Sequence, residues 1–274
     1  MENEKMYILE CDKLQLATIA DALNDWHGFL CGRTEMENII SFTEEDSKER
    51  EGLRSTLRSL RECVVKETVS PIHGNTYVYA DNGEDCPNKW QRRRIETSYS
   101  VLNKIKEADD AGRGKSIYEL TFNSKYNGKL NSPVRFSLTL SEEEMGTVAD
   151  AVEDWHRFLG GQTEMWNAST LMDDKDNDIR RILTDAHLYI VPLLASVYGV
   201  GASYGWSGGM CPNPHQRIAM ARSYGIYREI RHFFAVERST GDSWNVYLSG
   251  TLTCREQGQL IKITRVENEN AEGQ

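Results

Sequence analysis

Four stretches of this chain carry residue types from which reaction or binding sites are built. The first is Asp-Trp-His, written twice, in "TIADALNDWHGFLCGRTEM" from Thr18 to Met36 and in "TVADAVEDWHRFLGGQTEM" from Thr147 to Met165. An aspartate that orients a histidine is a common device of acid-base catalysis. On a helix turning 100° per residue, Asp25 and His27 point about 160° apart, so the three letters cannot form an Asp-His pair within one helix. The wheel puts Trp26 with Leu16, Ile19, Leu23 and Leu30 on an apolar face and His27 at its edge. It puts Asp21 and Asp25, and likewise Asp150 and Asp154, on the opposite face. Trp26 and Trp155 therefore read as core residues, His27 and His156 as hydrogen-bonded residues at the core edge, and the four aspartates as an outward acidic face. That face has two readings: a site for a basic partner, or ion pairing with Arg54, Arg58 and Arg61 of the next helix.

The second stretch, Gly201 to Gly205, matches Gly-x-Ser-x-Gly around Ser203. The nucleophile elbow needs an acid and then a histidine downstream, whereas His215 and His232 both precede Asp242. The third, "GRGKS" from Gly112, has Asp109 where a phosphate-binding loop requires glycine, and it joins a helix to a strand rather than the reverse. Neither carries chemistry.

The fourth, "YGVGASYGWSGGMCPNPHQR" from Tyr198 to Arg217, joins close-approach glycines, stacking rings, a helix N-terminus and a guanidinium, the parts of an anion or nucleotide pocket. The expected ligand residues are Tyr204, Trp206, Gly208, Gly209, Asn213 and Arg217, with Tyr79, Asn88 and Arg92 at the related place in the first half. No catalytic set of nucleophile, base and orienting group is visible. The six scattered cysteines include no Cys-x-x-Cys pair and no finger-spaced histidine, so neither a disulfide framework nor a metal site is indicated. No cofactor is expected.

The elements that would position these residues follow from a repeat. Leu16–Met36 and Met145–Met165 are identical at 13 of 21 ungapped positions, and "CPNKWQRRRIETSY" from Cys86 matches "CPNPHQRIAMARSY" from Cys211. Matched blocks in the same order predict a tandem duplication, with 1–130 as the first copy, 131–267 as the second and 268–274 as a disordered tail. Each copy reads as β-α-α-α-β. Met6 to Cys11 and Val134 to Leu140 alternate as half-buried strands, and the Asp12/Gln15 and Ser141/Glu144 pairs are capping boxes that start the next helix. Gly32 and Gly160/Gly161 stop that helix, a second follows around Leu53, Leu57, Leu60 and Val64 or Ile179 to Ile190, and Asn88 and Asn213 cap a third. Strands from Ser116 and from Trp244 to Cys254 close the copies, and a last strand from Leu260 to Val266 pairs with the one before it. The fold class is α+β, with helices packed on antiparallel sheet and pseudo-twofold related halves.

A formal charge of −10 opposes binding to nucleic acid or anionic membrane, and 39% hydrophobic with 27% charged residues is a globular mixture. No run is long enough to span a membrane, and the first residues are polar, so a cytoplasmic protein is expected. The functional expectation is a non-catalytic binding protein that sequesters a small anionic, nucleotide-like ligand in the glycine-aromatic loops or between the copies. The alternatives are an acidic inhibitor or adaptor that mimics nucleic acid in a basic cleft, and an enzyme using Asp and His across the domain interface. The partner is accordingly a small anionic ligand or a basic protein, and a homodimer is compatible with either.

Overall fold

The computed structural model describes residues 5–42, 47–65, 78–113, 135–172, 178–190, 207–209, 211, 213–239, 245–254 and 257–267. The fold is mixed helix and sheet. Strand β1 (Met6–Asp12) buries Tyr7, Leu9 and Cys11 and leaves the intervening residues partly exposed, as period-2 alternation requires. Strand β2 (Arg135–Ser141) does the same with Phe136, Leu138 and Leu140. The two pair antiparallel with Leu9 opposite Leu138, so the sheet joins the leading strands of the two halves. Strand β3 (Lys262–Arg265) lies antiparallel on the other edge of β1, with Ile263 opposite Leu9, and the order is β2-β1-β3.

Both capping boxes form. Asp12 accepts from the Leu14 and Gln15 amides while Gln15 returns a bond to the Asp12 amide, and Ser141 with Glu144 repeats the arrangement. They start α1 (Lys13–Leu30) and α6 (Glu142–Leu159), which end one residue before Cys31 and Gly160. Gly32 (φ 93°) and Gly161 (φ 88°) take the left-handed conformation that turns the chain away. Beyond them, Met36 (φ 51°) and Met165 (φ 44°) adopt the same left-handed conformation despite their side chains, and each immediately precedes a single helical turn: α2 (Glu37–Ile40) or α7 (Trp166–Ser169).

The second helix expected in the first half is two pieces, α3 (Lys48–Arg58) and α4 (Arg61–Val64), with Leu53, Leu57, Leu60 and Val64 all buried. Its counterpart α8 (Asp178–Ile190) packs directly against α3. The long helices α5 (Lys89–Arg113) and α9 (Pro214–Glu237) carry the Asn88 and Asn213 caps. Helix α1 lies against α5, α6 and α9, and α6 against α5 and α9, so one continuous hydrophobic core runs through both halves.

Two strand expectations are corrected. Val246–Leu248 is a short 3-10 helix, and 249–254 is not strand. Val246 and Leu252 stay about half exposed because no sheet face meets them, while Tyr247 is held on α9 by the Arg228 guanidinium over its ring and by His232 at its carbonyl. Strand β3 consequently pairs with β1 instead of with a preceding strand. The expected strand from Ser116, the boundary at 127–133 and the tail 268–274 lie outside the described residues.

Candidate functional site

The Asp-Trp pair is a lock between α1 and α6. The Trp26 indole Nε1 donates to Asp154 Oδ2 at 3.0 Å, and Trp155 Nε1 donates to Asp25 Oδ2 at 3.1 Å. Asp25 Oδ2 also accepts from the Ile39 amide, and its Oδ1 from the amide and side-chain nitrogen of Asn38, all at 3.0 to 3.1 Å. Asp154 repeats the set with Asn167 and Ala168. Each carboxylate therefore takes four donors. Two are amides at the start of a single helical turn, which the left-handed methionine before it aims at the acid. The left-handed conformation costs roughly 1–3 kcal/mol at a non-glycine residue, and the filled acceptors of a buried carboxylate offset it.

This corrects the outward acidic face. Asp25 is 5% exposed and Asp154 is fully buried. The wheel placed them opposite the leucine stripe correctly, but α1 and α6 are covered on that side too, by α2 or α7 and by the indole of the opposite half. Burial pushes both carboxyls up to about 7, against the pull of their donors. The arginine stripe does not pair with these aspartates: Arg54 binds Glu37, and Arg58 and Arg61 bind Glu35. The histidines are buried and hydrogen-bonded as expected, His27 Nδ1 to Ser98 Oγ at 2.9 Å and His156 Nδ1 to the Met220 carbonyl at 3.0 Å. Burial lowers His156 to about 4.

The expected ligand residues that fall in the described regions serve the fold. Asn213 accepts from the His215 and Gln216 amides and donates Nδ2 to the Phe42 carbonyl in the other half. Asn88 caps α5 in the same way and reaches the Leu171 carbonyl. Arg92 grips the Cys86 carbonyl through two nitrogens, and Arg217 reaches the Cys211 carbonyl at 3.4 Å. Tyr79 is buried, with its amide bonded to the Cys31 carbonyl. Gly208 is buried at φ 62°, where an added Cβ would lie 2.9 Å from Met220 Sδ, and Gly209 is exposed. Tyr204 and Trp206 lie outside the described residues.

A cleft of about 250 Å³ does open elsewhere, between α1 and α5, lined among others by Asp21, Asn24, His27, Arg33, Tyr99 and Lys106. Tyr99 stacks on His27 at 26° between planes. Asp21 has no hydrogen bond or ion pair to its carboxylate among the described residues, and burial, followed by the charge of Asp25, holds it well above the usual carboxylate range.

At the related place in the second half, His156 and the match of Asp21 are covered by side chains, and the open space lies nearer the start of α6. Aligning Cys86 with Cys211 pairs Tyr99 with Tyr224, Leu102 with Tyr227 and Lys106 with Arg231. The Tyr224 and Tyr227 rings pack on His156, and Arg231 donates to Asp150 at 2.6 Å and to Glu153 at 3.1 Å. Arg94 reaches the other oxygen of Asp150 at 3.0 Å. Asp150, the match of Asp21, is thus held by two guanidiniums, and its pKa is still raised because burial outweighs them. A second cleft, about 390 Å³ between α6 and α9, is bordered by Arg231 and Arg238, both already paired with carboxylates.

Sequence reasoning missed Arg33, Tyr99 and Lys106. The signal available was the same alignment, in which a small or flexible residue of α5 faces a large one of α9 at Leu102/Tyr227 and Lys106/Arg231. Among the described residues no helix is long and apolar enough to cross a membrane. No protein-family model, curated protein or solved structure matches the chain.

Proposed function

We propose that this is a non-catalytic binding protein built from two copies of one α+β unit in pseudo-twofold relation, and that its first copy holds a small anionic ligand in the α1–α5 cleft. The duplication is supported by the matched hydrogen bonds: two capping boxes, two Asp-Trp locks, two left-handed methionines and two helix-capping asparagines that each reach into the opposite half.

The observation that carries the binding reading is the contrast at Asp21 and Asp150. The second copy packs Tyr227 on His156 and pairs Asp150 with Arg231, whereas the first leaves Asp21 without such a partner beside an open space. A ligand seated there meets Lys106 for its anionic group, with Arg33 beside it on Asp81, the Tyr99 and His27 rings for a flat portion, and Asp21 for a donor. The basic-partner alternative loses half of its acidic face, since Asp25 and Asp154 are inside.

The test copies the second half's solution into the first. A thermal-shift screen of small phosphates, nucleotides and carboxylates against the full chain should find a stabilising ligand. Binding should vanish in Leu102→Tyr and weaken about tenfold or more in Lys106→Ala, with each unliganded variant still folded. No stabilising ligand, or one that binds Leu102→Tyr as well as the wild type, would overturn the proposal.

A further inference from the structure

We propose that His27, Cys31 and Asp81 form a mononuclear site for a zinc-like transition-metal ion at the mouth of the α1–α5 cleft. The proposal goes beyond the ligand reading and stands without it. His27 and Cys31 are four residues apart, at the end of α1, and so lie on one face. His27 Nε2 is 3.6 Å from Cys31 Sγ and 3.8 Å from Asp81 Oδ1, and the three donor atoms all lie within 4.8 Å of one another. A tetrahedral zinc ion with bonds of about 2.0–2.1 Å to nitrogen and oxygen and about 2.3 Å to sulfur separates its ligand atoms by roughly 3.3–3.6 Å. Small side-chain adjustments close the difference.

The surroundings of the imidazole permit the tautomer that metal binding needs. With Ser98 Oγ–H directed to the Ile95 carbonyl at 3.0 Å, the Ser98 oxygen is available to accept from His27 Nδ1–H at 2.9 Å. In that tautomer the lone pair sits on Nε2 and faces the cysteine and the aspartate. An outer hydrogen bond of this kind is what orients a metal-binding histidine. The third donor is also held in place. The Tyr79 amide bonds to the Cys31 carbonyl, the Ala80 amide to Asp85, and the Gly83 amide to the Ala80 carbonyl, which fixes the turn carrying Asp81 against the end of α1.

The donor set is one thiolate, one imidazole and one carboxylate, which suits zinc or cobalt(II) and not magnesium or calcium. His27 and Cys31 are buried while the Asp81 side chain is 56% exposed, so the fourth position opens toward the cleft and takes water or an exogenous group. Coordination releases the Cys31 thiol proton to solvent as the sulfur–metal bond forms. Arg33 lies 2.7 Å from the same Asp81 oxygen and competes with the ion. The second half has Gly160 where Cys31 stands, so the site belongs to the first half alone.

Cobalt(II) titration of the chelator-treated, dialysed full chain tests this directly. The expected result is one equivalent bound, with a thiolate-to-cobalt charge-transfer band and the intense visible bands of a tetrahedral ion. Both should disappear in Cys31→Ser and in Asp81→Asn, and persist in Cys63→Ser. Since Cys31 is buried and its variant is the one at risk of misfolding, Asp81→Asn at the exposed ligand carries the test independently. Ser98→Ala should weaken cobalt binding by about tenfold or more. Arg33→Ala should strengthen cobalt binding while weakening the anionic ligand, which separates failure of this proposal from failure of the binding reading. Absence of the charge-transfer band at one equivalent, or its survival in Cys31→Ser, would overturn the metal site.

Discussion

Replacing Trp155 with phenylalanine removes one donor from a buried carboxylate and keeps most of the ring. The lost volume is roughly 40 Å³, which at about 24 cal/mol per Å³ costs ~1 kcal/mol. The lost hydrogen bond depends on the charge of Asp25. To a neutral carboxyl it contributes ~1 kcal/mol, and to a carboxylate about 1.5–3 kcal/mol. Burial raises Asp25 from 3.8 to about 7 in the folded protein, so at pH 5 the native carboxyl is largely protonated and at pH 8 largely ionised. Trp155→Phe should therefore cost ~2 kcal/mol at pH 5 and ~2.5–4 kcal/mol at pH 8. Urea denaturation followed by far-ultraviolet circular dichroism, with unchanged m, measures both values. Trp26→Phe should match each value to within about 1 kcal/mol, because Asp154 has the same four donors and the same pKa near 7. A cost below about 1 kcal/mol at pH 8, or one that does not grow between pH 5 and pH 8, would refute the claim that the indole hydrogen bonds stabilise these buried carboxylates.

Three further outcomes are expected. Because Asp25 and Asp154 are raised, their contribution to stability is fully present below the unfolded pKa of 3.8 and is lost as pH rises through about 7; wild-type denaturation midpoints should fall between pH 5 and pH 8, and an Asp25→Asn/Asp154→Asn variant should lose most of that slope, with Asp21 and Asp150, also raised, supplying the remainder. Asn88→Ala and Asn213→Ala each delete a helix cap and a bond to the opposite half, so each should cost about 1–2 kcal/mol by chemical denaturation, and wild-type-like midpoints would contradict the structural role of the Cys-Pro-Asn motif. Gly208→Ala places a methyl group 2.9 Å from Met220 Sδ at φ 62°, and a melting temperature lowered by several degrees, about 1–3 kcal/mol, is the expected reading.

What was legible in the sequence was local. Asp12 with Gln15 and Ser141 with Glu144 announce helix starts because a capping box involves only residues three apart, and Gly32 and Gly161 announce helix ends because a left-handed turn needs no distant partner. The alternation in Met6–Asp12 and Arg135–Ser141 shows which side chains are buried, because successive residues of a strand face opposite sides. The spacing of Leu53, Leu57, Leu60 and Val64 predicts one helix, and all four are buried, but the break at Ser59 and Leu60 leaves that spacing intact and so escapes the sequence. The burial of Asp25 was invisible for a different reason. A helical wheel has one inside and one outside, and the donors that admit a carboxylate to the core come from Asn38, Ile39 and Trp155, 13 to 130 residues away.

The candidate site shows the same division. His27 and Cys31 sit on one helix face by spacing alone, but Asp81 joins them only because the Tyr79–Cys86 turn is tied back onto the end of α1. The matched residues Lys106 and Arg231 look like a conservative exchange, yet Arg231 is bound to Asp150 and Glu153 while Lys106 borders a cleft in which Asp21 has no such partner. Sequence by itself determined the helix caps and stops and the alternation of the strands, because those rest on short-range hydrogen bonds and periodicity. Tertiary structure alone decided which face of each repeated helix is covered, which aspartate finds a guanidinium and which cleft stays open. Those outcomes depend on desolvation and on partners supplied by the opposite half of the chain.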